Sequence, residues 1–262
     1  MSATVQRFSV SQRVEHVAMM TMFTVLCLTG FPQKFFSAST SQVIVDALGG
    51  VGVTRLIHRI AGVLFSLQAV WHLGSAIVAI FRRKSTLSMV PTRRDFTDAI
   101  TTLRYYLGLT REHARFGRFD YRQKFEYWGL VFGTLLMVAT GLILLFPFVT
   151  SAFLPAQFIP ASKVAHGSEG LMAFLVVLIW HIYNAHLSPD VFPFDTSIFT
   201  GRISRERMQH EHPLELEQID AAAAAKGEAV ELAPPIKTPV LAPALAVVER
   251  SALPPQGPGG RA

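Results

Sequence analysis

Histidine is concentrated in the apolar part of this 262-residue chain, where charged side chains are rare. Six of the nine histidines fall within or at the ends of four long apolar segments: His16, His58, His72, His166, His181 and His186. Ionisable side chains inside a bilayer are costly and usually mark a functional site. Imidazole is also a ligand for haem iron and other transition metals. The six histidines therefore indicate a bound metal or cofactor inside a membrane protein.

The spacing of these histidines predicts two levels of ligands. His58 and His72 are 14 residues apart, and His166 and His181 are 15 apart. On an α-helix, each spacing keeps a pair on roughly one face and separates its members by about 21–22 Å along the axis. If both helices run the same way, His58 is level with His166 and His72 is level with His181. Two stacked planar cofactors held by imidazoles fit this pattern, and haem is the expected group.

Other metal chemistries fit the composition less well. Zinc and di-iron sites need carboxylates or cysteines clustered at one level, and the apolar segments lack such clusters. Cys27 is the only cysteine, so neither an internal disulfide nor a Cys-x-x-Cys-His haem attachment can form. The expected cofactor is therefore haem b, bound without covalent attachment.

Small and basic residues accompany His58 and His166. Gly62 and Gly170 each follow a histidine by one helical turn, which would leave room for a flat ring, although glycine is also common where membrane helices pack. Three basic residues flank the same histidines: Arg55, Arg59 and Lys163. Such side chains could pair with haem propionates or extend to the membrane interface.

Four apolar segments are long enough to cross a bilayer as helices: residues 14–31, 57–81, 125–149 and 165–187. They predict an all-α integral membrane protein, a four-helix bundle. Short amphipathic surface helices are expected in the connections, one around residues 96–107 and another within residues 35–50. The membrane domain is placed at residues 1–212, and the Ala/Pro-rich residues 213–262 are predicted to be a disordered tail. No repeat of fixed period is evident.

The positive charge of the chain indicates its orientation. Of the lysines and arginines, eleven fall within residues 82–124, whereas the other two connections between spans contain three. Cytoplasmic connections of membrane proteins carry such an excess. This loop and both termini are therefore predicted on the cytoplasmic side of a bacterial inner membrane. Because topology and lipid contact explain the net charge of +6, no nucleic-acid partner is expected.

Several short motifs resemble one known family in their order and spacing. They are Arg13-Val-Glu-His16, Leu56-Ile-His58, Gln123-Lys124 followed by Trp128, His166 with Gly170, His181-Ile-Tyr183 and His212-Pro213. Over residues 6–214 the chain resembles the di-haem cytochrome b membrane subunits of formate dehydrogenases and nickel–iron hydrogenases. The runs Phe119–Trp128 and Trp180–His186 are similar to a branch associated with multihaem c-type electron-transfer systems.

The resemblance implies a set of haem ligands. His58 and His166 would hold an outer haem. In the formate dehydrogenase pattern His16 and His181 would hold an inner haem, whereas the paired spacing resembles cytochrome b of quinol–cytochrome c oxidoreductases and would use His72 with His181. His186 would point about 140° away from His181 on an α-helix. It could hold a third haem with His16 or His72, or serve as an interfacial hydrogen-bonding residue.

The resemblance also implies a quinone site at the start of the third span. Asp120, Gln123 and Lys124 would line it, with His181 behind them; capping or lipid contact is the alternative role for the three polar residues. The quinone would be menaquinone or ubiquinone. Three carboxylates near the spans are candidate proton relays: Glu15, Glu126 and Glu169.

The predicted function is electron transfer between the quinone pool on the inner side and a periplasmic redox partner. That partner would be a metalloenzyme or a multihaem c-type cytochrome, and the chain would be the electron-transfer subunit of a quinone-linked oxidoreductase complex. Three alternatives remain: a histidine-lined proton or metal-ion transporter, a ferric reductase that needs no quinone, and a haem-free assembly subunit. Inverted repeats and broken helices, which are typical of transporters, are not apparent.

Overall fold

The computed structural model of the protein describes residues 4–82, 87–189 and 191–227. The elements, in chain order, are β1 (Thr4–Gln6), α1 (Val10–Lys34), α2 (Ser39–Ala47), α3 (Val51–Phe81), α4 (Arg93–Tyr106), α5 (Tyr121–Leu145), α6 (Pro147–Phe153), α7 (Phe158–Leu175), α8 (Ser197–Thr200), β2 (Arg202–Ser204), α9 (Arg205–Glu211) and α10 (Pro213–Ala225). Helix α7 continues as π-helical turns over Val176–His181 and Tyr183–Leu187. The all-α prediction is confirmed.

Four helices are long and apolar enough to cross a membrane: α1, α3, α5 and the continuous helical segment Phe158–Leu187. Their large apolar side chains point outward, as Phe132 (64% exposed) does, and small polar side chains point inward, as Thr54 (0% exposed) does. This distribution suits a bundle whose outer surface contacts lipid and whose helices pack through small residues. The predicted four-helix membrane protein is therefore confirmed.

Local chemistry explains where the membrane helices begin and end. Ser9 caps α1, because its Oγ accepts from the Gln12 N–H at 3.3 Å and Gln12 Oε1 accepts from the Ser9 N–H at 3.0 Å. Gly49 and Gly50 connect α2 to α3 with φ of +95° each, a conformation that glycine adopts without steric cost. Helix α5 ends at Leu145 rather than at residue 149 as predicted, because Pro147 disfavours helical backbone in the residue before it.

The chain forms two compact units. The membrane unit comprises residues 4–89 and 122–203, and contains the four long helices together with the two-stranded β1–β2 sheet. The loop unit comprises residues 90–121 and 204–227. The predicted division at residue 212 therefore differs from the units in the structure, because the loop before the third span packs with the segment after residue 203.

The loop unit is stabilised by polar contacts between segments distant in sequence. Arg118 Nη1 donates to Glu215 Oε1 at 2.5 Å, and His212 Nδ1 donates to the Gly117 carbonyl at 2.8 Å. The predicted amphipathic helix at residues 96–107 corresponds to α4, which begins with a capping box formed by Thr92 and Asp95. The surface helix expected within residues 35–50 corresponds to α2 in the membrane unit.

The segment after residue 212 differs from the predicted disordered tail. Residues Pro213–Ala225 form α10, and Leu216 is buried in the loop unit. Proline is favoured at the first position of a helix, and the run of alanines that follows has the highest helix propensity. The expectation for residues 228–262 lies outside the described residues.

Candidate histidine-ligated cofactor sites

The first pair of facing histidines lies between α3 and α7. The ring centroids of His58 and His166 are 6.3 Å apart, and the two rings are inclined at 78°. No ion pair is formed with either ring within residues 4–82, 87–189 and 191–227. The two imidazoles that the spacing predicted to be level are thus brought together.

Two threonines orient these imidazoles. The hydroxyl oxygen of Thr29 lies 2.9 Å from His58 Nδ1, and that of Thr140 lies 3.0 Å from His166 Nδ1. Each hydroxyl donates its own proton to a carbonyl one turn earlier, at 2.7 Å in both helices. The threonine oxygens therefore accept from protonated Nδ1, and each histidine keeps the Nε2 lone pair that a metal requires.

Two glycines make room for the same rings. A Cβ atom on Gly30 would lie 3.1 Å from His58 Cε1, and one on Gly141 would lie 3.3 Å from His166 Cε1. Gly62 and Gly170, which the sequence singled out, have looser surroundings, with nearest side-chain atoms at 3.9 and 3.6 Å. Gly30 was not predicted from the sequence. The Thr-Gly dipeptide that occurs in both α1 and α5 was the available signal.

The second pair of facing histidines lies between α1 and α7. The ring centroids of His16 and His181 are 6.2 Å apart, with an angle of 34° between the rings. His181 Nδ1 donates to Glu126 Oε1 at 2.5 Å, which leaves its Nε2 available. His16 Nδ1 is buried and has no hydrogen-bond partner within the described part of the chain. Buried polar atoms nearly always have a hydrogen-bond partner, so this nitrogen calls for a group, ion or water molecule beside it.

The geometry of both pairs fits a metal held between two axial imidazoles. An imidazole nitrogen binds a transition metal at about 2.0–2.1 Å. The distance between two ring centroids on opposite sides of a metal is the sum of two such bonds and of the two distances from nitrogen to ring centre, roughly 6 Å in total. Both histidine pairs have centroid separations that agree with this value. Within the described residues, no group of three or more His, Cys, Asp or Glu side chains is arranged to hold a metal. The donor sets are thus pairs of histidines, as haem iron accepts.

His72 has different partners. Its Nδ1 lies 2.9 Å from Glu15 Oε2, and its Nε2 lies 3.2 Å from the Tyr127 hydroxyl. We refer to these three side chains as the Glu15–His72–Tyr127 cluster. Of the two candidates for the position opposite His181, the structure places His16 there. His72 instead has both ring nitrogens engaged by side chains.

His186 lies in the π-helical part of the fourth span. The Ser188 N–H donates to the Tyr183 carbonyl at 2.8 Å, a bond between residues five apart. The 140° between His181 and His186 that is expected for an α-helix therefore does not apply to this segment. His186 Nδ1 accepts from the Asp195 N–H at 3.2 Å, and its ring stacks on Phe194 at 4.1 Å.

The remaining predicted site residues lie near helix starts. Asp120 (5% exposed) directly precedes α5, and Lys124 (8% exposed) lies in its first turn. Gln123 is exposed and lies one turn before Glu126, the partner of His181. Arg59, an exposed side chain, follows a ligand candidate directly in α3.

One basic residue near the first histidine pair was not predicted. A Cβ on Gly167 would lie 3.2 Å from Lys34 Nζ, so the ammonium group lies against the α7 backbone beside His166. Lys34 occupies the last turn of α1, far in sequence from α7. Its proximity could not be inferred from either segment alone.

Comparison with known proteins identifies the family. A model of the family described as prokaryotic cytochrome b561 matches residues 7–191, which include all six candidate histidines. The chain belongs to the prokaryotic cytochrome b561 family. Membership makes it a multi-pass membrane cytochrome b that binds haem b and transfers electrons, which agrees with the resemblance seen in its motifs.

Two curated relatives belong to formate dehydrogenases. The cytochrome b556(Fdn) subunit of the nitrate-inducible formate dehydrogenase of Escherichia coli (strain K12) is 22% identical over 225 residues, which cover 86% of this chain and 96% of the relative. The same subunit of Shigella flexneri matches with the same identity and coverage. The similarity therefore extends over nearly the full length of these relatives.

Proposed function

We propose that this cytochrome b carries electrons between a quinone on the inner side of a bacterial inner membrane and a periplasmic redox partner, through two haems b. The observation that carries the proposal is the presence of two facing histidine pairs in one set of membrane helices, with ring separations of 6.3 and 6.2 Å. Two bis-histidine positions in one bundle form a pathway that a single binding site would not provide.

His58 and His166 are proposed to hold the outer haem, and His16 and His181 the inner haem. Haem b, when bound, supplies one-electron transfer. At His58, His166 and His181 the acceptors described above bind Nδ1, so Nε2 is the nitrogen that would bind iron. His16 Nδ1 has no such acceptor within the described residues.

The quinone is proposed to bind at the start of α5. Gln123 is exposed there, and its side-chain amide can donate to a quinone carbonyl. Glu126, three residues further along the helix, bonds to His181 and so joins this surface to the inner histidine pair. A headgroup at Gln123 would thus lie near the inner haem, whereas the lipid surface of the helix would accommodate its tail.

Replacement of Gln123 by alanine is expected to slow the reduction of the haems by a quinol analogue about five- to tenfold, because one amide hydrogen bond contributes roughly 1–1.5 kcal/mol. Stopped-flow absorbance of the purified protein measures this rate. Gln42→Ala removes an exposed glutamine from α2 and is expected to have no effect. Normal quinol reduction of the Gln123→Ala variant would exclude this quinone site, whereas a wild type whose haems no quinol reduces would favour a quinone-independent ferric reductase.

The basic residues near His58 and His166 are proposed to neutralise the propionates of the outer haem. Lys34 is the best placed, since its ammonium group lies beside His166; Arg55, Arg59 and Lys163 are the other candidates. A positive charge near a haem favours the reduced state, because reduction removes one positive charge from the iron.

Lys34→Met is expected to lower the midpoint potential of the outer haem by on the order of 30–60 mV. A spectroelectrochemical titration measures this shift, and the inner haem should keep its potential. Arg82→Met removes an equal charge after the opposite end of α3 and serves as the control. An unchanged outer potential in the Lys34→Met variant would remove Lys34 from the propionate site.

The partner is proposed to be a catalytic or electron-carrying subunit at the periplasmic face, either a metalloenzyme or a multihaem c-type cytochrome. The names of the relatives support an association with an oxidoreductase, since they are cytochrome subunits of a formate dehydrogenase. The eleven basic residues within 82–124 support a cytoplasmic location for that loop and for both termini. The outer histidine pair would then face the partner.

A further inference from the structure

The membrane helices contain two related sets of residues. Four positions of α1 match four of α5 at a constant offset of 111: Glu15 and Glu126, His16 and Tyr127, Thr29 and Thr140, Gly30 and Gly141. Four positions of α3 match four of the fourth span at an offset of 108: Thr54 and Ser162, Arg55 and Lys163, His58 and His166, Gly62 and Gly170. The pairs Trp71-His72 and Trp180-His181 follow at an offset of 109. Because the offset changes, no fixed period appears.

The contacts within each set are also repeated. The hydroxyl oxygen of Thr29 in α1 lies 2.9 Å from His58 Nδ1 in α3, and that of Thr140 in α5 lies 3.0 Å from His166 Nδ1 in α7. A glutamate carboxylate lies 2.9 Å from His72 Nδ1 in the first set, where it belongs to Glu15, and 2.5 Å from His181 Nδ1 in the second, where it belongs to Glu126. A Cβ atom added to the paired glycines would lie at similar distances from the histidine rings, 3.1 Å at Gly30 and 3.3 Å at Gly141. One arrangement of residues and contacts is thus repeated, once in α1 with α3 and once in α5 with the fourth span. We call these the first copy and the second copy.

The second copy is three residues shorter between its two helices, and the one difference in length within the helices has a structural counterpart. The second copy has one more residue between its glycine and its second histidine than the first copy has, and this is where the fourth span becomes π-helical, at Val176–His181. A π turn takes an additional residue into a helix. His181 therefore keeps its contact with Glu126 despite the insertion, as His72 keeps its contact with Glu15.

Contacts between the copies show where they diverge. His16 of the first copy faces His181 of the second, with centroids 6.2 Å apart. The equivalent contact joins Tyr127 of the second copy to His72 of the first, at 6.0 Å. The Glu15–His72–Tyr127 cluster thus occupies the position that corresponds to the inner histidine pair. Tyrosine replaces histidine at one of its two ligand positions.

We propose that Tyr127 closes this second position to haem, so that the inner level binds a single haem on the α1/α7 side. Glu15 accepts the proton of His72 Nδ1, and the Tyr127 hydroxyl donates to Nε2, so no lone pair of His72 remains for iron. His181 also has a carboxylate at its Nδ1, that of Glu126, but the ring that faces it is His16 rather than a tyrosine. The Nε2 atom of His181 is therefore still available to bind iron. This inference rests on the proposed function and identifies residue 127 as the determinant of haem number.

The purified full-length protein tests this proposal through haem content per chain and the low-spin signals of electron paramagnetic resonance. The wild type should contain two haems, and His72→Ala should retain both. His16→Tyr should contain one, with the outer signal unchanged as evidence of folding. Tyr127→His supplies the missing imidazole, and it should contain three haems, with an additional bis-histidine signal.

Two results would overturn the inference while leaving the proposed function intact: loss of a haem in His72→Ala, or a haem content of two in Tyr127→His. A wild-type protein with three haems would overturn it as well. A wild type that binds no haem would instead refute the proposed function, so the two failures are distinguishable.

Discussion

Alanine at either position 58 or position 166 is expected to remove the same haem. Each substitution deletes one of the two imidazoles whose ring centroids are 6.3 Å apart, and an iron left with one ligand in a bundle core is held far less tightly. Haem content should fall from two per chain to one in both variants. The absorption spectrum and midpoint potential of the remaining haem should be identical in the two proteins.

His113→Ala is the control for this experiment. His113 lies in the loop unit and its Nδ1 donates to the Ala114 carbonyl at 2.8 Å, so both haems should remain. The potential of the remaining haem shows which haem each variant has lost. If His58→Ala and His166→Ala lost different haems, these two residues would not be ligands of one haem, and the proposed electron pathway through the bundle would be wrong.

Valine in place of Gly30 or Gly141 should abolish the outer haem although every ligand remains. A Cβ at these positions already lies 3.1 and 3.3 Å from the histidine rings, and the γ carbons of valine would force the imidazole away from the iron axis. We expect haem content to fall from two to about one per chain, since a misplacement of about 1 Å disrupts a ligand set. Pyridine haemochrome analysis measures the loss, and circular dichroism verifies that the helices persist.

Gly74→Val and Gly129→Val provide matched controls in α3 and α5. A Cβ at either residue meets no atom within 4 Å, so the same substitution should leave both haems in place. A Gly141→Val protein with its full haem content would show that the ring of His166 can move freely. The proposal that the Thr-Gly dipeptides position the outer ligands would then be refuted.

Much of the fold follows from the length and composition of the apolar segments. A bilayer requires about 20 apolar residues per helix, and that requirement alone locates α1, α3, α5 and the fourth span. Helix ends depend on local chemistry instead. The third span ends at Leu145 because of a proline two residues later, and α10 forms because Pro213 and the alanine run favour a helix.

Spacing predicted the outer histidine pair but left the inner pair open. His16 and His72 lie at comparable depth, and helical periodicity does not specify which helix faces which. The choice depends on Glu15 and Tyr127, which engage His72 from two other helices. The 140° predicted between His181 and His186 assumed an α-helix, and a π-helical turn is not evident from composition. The contacts of His72 with Glu15 and Tyr127 join residues more than fifty positions apart, and only the folded chain brings these residues together.

The acceptors of the Nδ1 protons differ in charge between the two histidine pairs. At His58 and His166 they are neutral threonine hydroxyls, whereas at His181 the acceptor is the Glu126 carboxylate. A carboxylate strengthens its imidazole as an electron donor, and stronger donation stabilises ferric iron. With haems bound as proposed, Glu126 disfavours ferrous iron at the inner position, while Lys34 favours it at the outer one. The two haem positions would then differ in reduction potential, and an electron would move downhill from the His16–His181 pair to the His58–His166 pair.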